Sequence, residues 1–190
     1  SREDPPTGCG YGPAGTGQGG TARISSIGAS LLNSPGAVEV TAIGIGGSDS
    51  DALLAVQGGN GTGGTASVVL QGGLATLGSN LVIDASGIGG AGNLFDATAT
   101  GGVGTGGFAQ LGAGTALTSG AGGVLGVGGF TSIFADGTGG EGFDAGAGIG
   151  GEISISARQG SLALNSLLVA SRGTGGAGKV GGSGGAATGG

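Results

Sequence analysis

Along residues 150–176 apolar and polar side chains alternate. Ile153, Ile155 and Ala157 are interleaved with Ser154, Ser156 and Arg158, and the alternation resumes at Leu162 and Leu164 and again at Leu167 and Val169. A period of two predicts strands with one buried face. Small polar residues and Gly160 divide the run into three short strands, and a Gly-x-Gly-Gly tract at 173–176 closes it. Ile153, Ile155, Leu162, Leu164, Leu167 and Val169 then form one inward-facing layer. Val68, Leu70, Leu81 and Ile83 are their counterparts in an earlier stretch.

The same grammar recurs. A Gly-Gly pair precedes a strand-like run at 19, 63, 106 and 150 and reappears at 189, giving spacings of 44, 43, 44 and 39 residues. A second Gly-x-Gly-Gly lies inside each unit, at 44–47, 87–90, 137–140 and 173–176. Repeats of this length indicate solenoids or related arrays. The predicted organisation is a lead-in, cap or linker over 1–18, then a repeat array over 19–190. Its units are 19–62, 63–105, 106–149 and 150–188, with a further unit starting at 189–190, as in a piece of a longer array.

Each unit has a strand-bearing arm and a second, glycine-richer arm. The second arms SDSDALLAVQ and AGNLFDATAT hold enough apolar residues for another strand, whereas AGKVGGSGGAAT reads as a loop. One unit is either a single coil of three strands or two coils of half that length. At about 4.8 Å per coil the array rises roughly 20 or 40 Å. Glycine serves the corners between strands, where positive φ or close approach of backbones is needed. The fold class is all-β, a parallel β-helix or solenoid of four glycine-rich repeats.

Composition sharpens this. Of 190 residues 56 are glycine, without the strict period of three that collagen requires. Mean hydropathy is positive and only 8% of residues are charged, which argues against a disordered chain. Frequent glycine opposes helices. Net charge is −6 with five basic residues, so no basic surface suited to nucleic acid is expected. No run is long and apolar enough for a transmembrane helix, and the lone Cys9 has no internal disulfide partner.

The segments GGEISISARQGSLALNSLLVASRGTGG and GGTASVVLQGG…NLVIDASGIGGAG resemble the glycine-rich strand repeats of large secreted bacterial adhesins. These are the filamentous-haemagglutinin-like exoproteins, exported by two-partner secretion or as autotransporters. The resemblance covers roughly residues 19–190. It implies a right-handed parallel β-helix that works as a stalk or fibre outside the cell.

Candidate chemistry is sparse. The chain has no His, which excludes Ser-His-Asp, Cys-His and His-metal arrangements. The acids Glu39, Asp49, Asp51, Asp84, Asp96, Asp136, Glu141, Asp144 and Glu152, with Glu3 and Asp4 in the lead-in, are spread over loops and strand ends. Gly139-Gly140-Glu141-Gly142-Phe143-Asp144 matches the start of a calcium-binding repeat, but it occurs once and a glycine, Gly146, follows where a large apolar residue belongs. Asp136, Glu141 and Asp144, like Asp49 and Asp51, therefore read as solvated loop residues. The Gly-x-Gly-Gly tracts lack the helix and Lys-Ser/Thr of a phosphate loop. The isolated pair Thr98 and Thr100 falls short of the regular threonine ladder that ice binding would want.

No catalytic residue, cofactor or metal site is assigned, and the reading is non-enzymatic. The expectation is an extracellular or cell-surface structural segment of a bacterial adhesin or matrix fibre. Its partners are other copies of itself and, secondarily, host or surface glycans. The alternative is a calcium- or glycan-binding surface module.

Overall fold

The computed structural model describes residues 14–48, 56–114, 122–179 and 182–190. Outside them lie Cys9, Glu3, Asp4, Asp49, Asp51 and most of the first second-arm strand expected in SDSDALLAVQ. The described residues are all-β and contain no helix.

With each unit counted from the short strand just before its Gly-Gly pair, two residues earlier than the sequence bounds, the first unit contributes β1 (Gly17–Gln18), β2 (Thr21–Ser26), β3 (Leu31–Ser34), β4 (Val38–Thr41) and β5 (Gly44–Ile45). The second contributes β6 (Gly61–Thr62), β7 (Thr65–Leu70), β8 (Leu74–Leu77), β9 (Leu81–Asp84) and β10 (Gly87–Ile88). The third supplies β11 (Gly104–Thr105), β12 (Phe108–Ala113), β13 (Val124–Phe134) and β14 (Gly137–Thr138). The fourth supplies β15 (Gly148–Ile149), β16 (Glu152–Ala157), β17 (Ser161–Ala170) and β18 (Gly173–Thr174), and β19 (Ala187–Thr188) follows.

These strands form four parallel sheets, and each sheet takes one position from every unit. A first broad sheet is β2-β7-β12-β16, and a second joins β3 and β4, β8 and β9, β13 and β17. Two narrow sheets are β1-β6-β11-β15-β19 and β5-β10-β14-β18. Neighbouring strands are one whole unit apart: Gly17 faces Gly61, Gly61 faces Gly104 and Gly104 faces Gly148. The pairing reaches back to Gly17 and Gln18, inside the stretch read from sequence as lead-in.

The broad sheets enclose the core. Columns of inward side chains run through the units in register: Ile24, Val68, Leu111 and Ile155 in the first sheet, Val40, Ile83, Ile133 and Val169 in the second. Val68, Leu111, Ile83 and Ile133 are buried. Thr131 is also fully buried, with no hydrogen-bond partner for its hydroxyl. The inward positions of the fourth unit point the same way but lack a following layer, so Ile155, Leu167 and Val169 keep 38, 46 and 44% exposure.

Several local expectations change. The fourth unit has two strands across the broad sheets, since β17 runs unbroken through Asn165 and Ser166. The connection between β8 and β9 spans Gly78, Ser79 and Asn80. In the fourth unit Asn165 alone sits opposite Gly128 and Gly129, so β17 stays extended and the extra residue bulges from β13. Residues 91–100 form no strand. Asn93 and Asp96 accept the backbone N–H two residues on, from Phe95 and Thr98, both at 2.7 Å, and these Asx turns consume the segment. The last second arm, expected to be a loop, contains β19.

The Gly-x-Gly-Gly tracts are not left-handed corners. Positive φ occurs at Gly28, Gly73, Gly114 and Gln159, in the connections between the broad sheets. The tracts instead build one narrow sheet, β5-β10-β14-β18, which faces the other, β1-β6-β11-β15-β19, too closely for side chains. A Cβ on Gly61 would overlap the Ile88 carbonyl, one on Gly87 the Thr105 carbonyl, and one on Gly104 the Thr138 carbonyl. Backbone hydrogen bonds also cross between the tracts. An unbroken zigzag runs from Gly15 through Gly47, Gly59, Gly90, Gly102, Gly140, Gly146 and Gly176 to Gly185, each N–H donating to the preceding carbonyl at 2.8–3.2 Å. Glycine here permits contact between two backbones.

Candidate functional site: the outer groove of the first broad sheet

The acidic residues do not assemble a centre. Asp136 accepts the Arg172 backbone N–H at 2.7 Å and pairs with its guanidinium at 3.2 Å. Asp144 accepts the Ser183 N–H at 2.8 Å and the Ser183 hydroxyl at 2.9 Å, which together hold its carboxyl below the usual carboxylate value. Asp96 is lowered in the same way by the Thr98 hydroxyl and then the Thr98 N–H. Asp84 accepts the Ser86 N–H at 2.9 Å. Glu39 and Glu152 point outward from β4 and β16, and Glu141 offers its carbonyl to Gly92 N–H. Among the described residues no three acids or cysteines converge as a metal site. Asp136 and Asp144 thus brace the neighbouring unit.

A different feature emerges on the outer face of the first broad sheet, a groove of about 490 Å³. Parallel pairing places Arg23, Ser67, Gln110 and Ser154 in one row across the four units. The next outward row brings Val69, Gly112 and Ser156 to the groove, and Thr21 and Thr65 line it on the other side. Gln71 and Arg158 close its far end. The lining offers hydroxyls, amides and two guanidiniums, and no aromatic ring.

Three details set this face apart. Ser67 is only 4% exposed, a polar side chain set into the floor of the groove. Arg23 and Arg158 pair with no carboxylate there, the ion pair being Arg172–Asp136. Gly112 lacks positive φ, and a Cβ on it would meet Ser156 Oγ and Val69 Cγ1 at an ordinary 3.6 Å. Neither backbone conformation nor packing demands glycine at this position, yet its missing side chain deepens the floor.

Sequence reading passed over these residues because they lie about one unit apart. The signal was present: aligning units on their Gly-Gly pairs puts Arg23, Ser67, Gln110 and Ser154 at one position. A second surface feature, Leu31, Leu74 and Val124, is an apolar stripe stacked in register on the second broad sheet.

Comparison of the chain with protein-family models, with curated proteins and with solved structures finds no match. The resemblance to adhesin repeats therefore rests on the residues themselves.

Proposed function

We propose that the chain is a length of parallel β-solenoid that serves as an extracellular structural element, a stalk or filament segment of a bacterial surface adhesin or matrix fibre. The observation that carries this reading is the pairing of every unit with the next, parallel and in register, in all four sheets. Backbone hydrogen bonds then point along the stacking direction, and each layer depends on its neighbours, as in repeat arrays. The function is mechanical and needs no catalytic group; the dispersal of the acids and the absence of His from the sequence fit a non-enzymatic role.

Further support comes from side chains that tie one unit to the next. Asn60 Oδ1 accepts the Val103 N–H at 2.8 Å, Asn80 Oδ1 accepts the Phe130 N–H at 3.0 Å, and Ser86 Oγ accepts the Asp136 N–H at 3.2 Å. The half-covered apolar layer at Ile155, Leu167 and Val169 fits a self-associating chain whose layers continue in other copies. The test is electron cryo-microscopy of the native assembly. A continuous axial repeat of about 4.8 Å along a surface filament is expected. Isolated particles without that repeat would remove the filament reading.

A further inference from the structure

We propose that the outer groove of the first broad sheet binds an extended acidic glycan, a hydroxyl-rich chain bearing carboxylate or sulfate groups. Charge is the first argument. The chain carries a net −6, yet two of its five basic residues, Arg23 and Arg158, line this one groove without a carboxylate partner among the described residues. The neighbouring acid on the face, Glu152, falls outside the groove's lining. Unpaired guanidiniums beside a polar cleft recognise planar anionic groups through paired N–H donors.

Spacing is the second. Arg23 belongs to the first unit and Arg158 to the fourth, four residues beyond Ser154 on the row they would otherwise share. Three strand spacings and four residues of rise separate them by roughly 20 Å. One small anion cannot bridge that gap, whereas an extended chain with repeated charges can. Between the two ends lie Ser67, Ser154, Ser156, Gln110 and Gln71, groups that exchange hydrogen bonds with hydroxyls. Ser67 is the most buried of them. The backbone of this sheet is engaged in its own ladder, so a peptide gains no strand-addition bonds from the face. With no aromatic in the lining and only two cations, the groove lacks what single-stranded nucleic acid needs.

Gly112 is the third. A groove floor kept open by a glycine that neither packing nor φ requires can be filled without disturbing the core. This supplies the decisive variant.

The test is calorimetric titration of the full chain with a length series of oligogalacturonates, matching neutral galactose oligomers, sulfated oligomers of the same lengths, and a single-stranded oligonucleotide. Acidic oligomers of either kind should bind, the carboxylated and sulfated arms identifying the preferred anion. Affinity should rise with length until both guanidiniums are engaged. Arg23→Gln and Arg158→Gln should each weaken binding about tenfold or more, and Gly112→Leu should abolish it while circular dichroism and the melting temperature stay near those of the parent. Equal binding of neutral and acidic oligomers, no binding of any glycan, stronger binding of the oligonucleotide, or affinity unchanged in Gly112→Leu and both arginine variants would each overturn the assignment.

Discussion

The glycines of this protein divide by what a side chain would meet. Gly104 sits in β11, where an added Cβ would overlap the Thr138 carbonyl of the opposing narrow sheet. That obstacle is backbone hydrogen-bonded to its neighbours and cannot step aside. Gly126 lies on the outer side of β13, with nothing within 4 Å of an added Cβ. Gly104→Ala should therefore destabilise by about 3 kcal/mol or prevent folding. Gly126→Ala should be neutral or stabilising by roughly 0.5 kcal/mol, because alanine loses less freedom on folding. Urea denaturation of the pair reads this directly. Equal stability of the two variants would mean that the narrow sheets stand further apart in solution.

At the level of elements, the bracing of one unit by the next depends on carboxylates. Asp144 is lowered mainly by the Ser183 N–H and then by the Ser183 hydroxyl. A carboxyl lowered in the folded state adds stability that is present above its ordinary value and lost as pH falls through the lowered one. Both partners lie in the final segment that leads to β19. The protection of residues 183–188 against hydrogen exchange, relative to the intrinsic rate at each pH, should fall on acidification through the carboxylate range, while β7 and β12 stay protected; an Asp144→Asn variant, which lacks the titrating group, is the control. A segment that exchanges alike in parent and variant across that range would count against this bracing. The strands themselves were legible because period-two runs such as Thr65–Leu70 and Leu81–Asp84 carry their own signal. Other elements were not. The tract at 173–176 read as a corner because sequence reports that glycine is required but not which of its two uses applies, positive φ or close approach. AGNLFDATAT read as a strand because its apolar residues outweighed Asn93 and Asp96, whose side chains fold the segment back on itself. The groove was hidden since its row of Arg23, Ser67, Gln110 and Ser154 exists only once units are stacked.

For the whole molecule, coverage by neighbouring layers decides what a core residue contributes. Leu81 and Leu167 occupy the same inward column, joined through Thr131. Leu81 has a unit on each side and is fully buried; Leu167 has one and is 46% exposed. Truncating the first opens a cavity that neighbours on both sides cannot fill, so Leu81→Ala should cost about 3 kcal/mol. Leu167→Ala removes contacts on one side only and should cost about 1 kcal/mol, in line with its smaller buried area. The difference also tests whether the layered end is covered. If a second copy stacks on the fourth unit, Leu167 becomes a fully buried residue, and its truncation should cost more as protein concentration rises, by mass action. The cost of Leu81→Ala relative to the parent should then stay constant with concentration. Denaturation midpoints of both variants over a concentration series separate the cases: a gap that narrows at high concentration identifies end-to-end association through this layer, and a constant gap identifies an end that remains open.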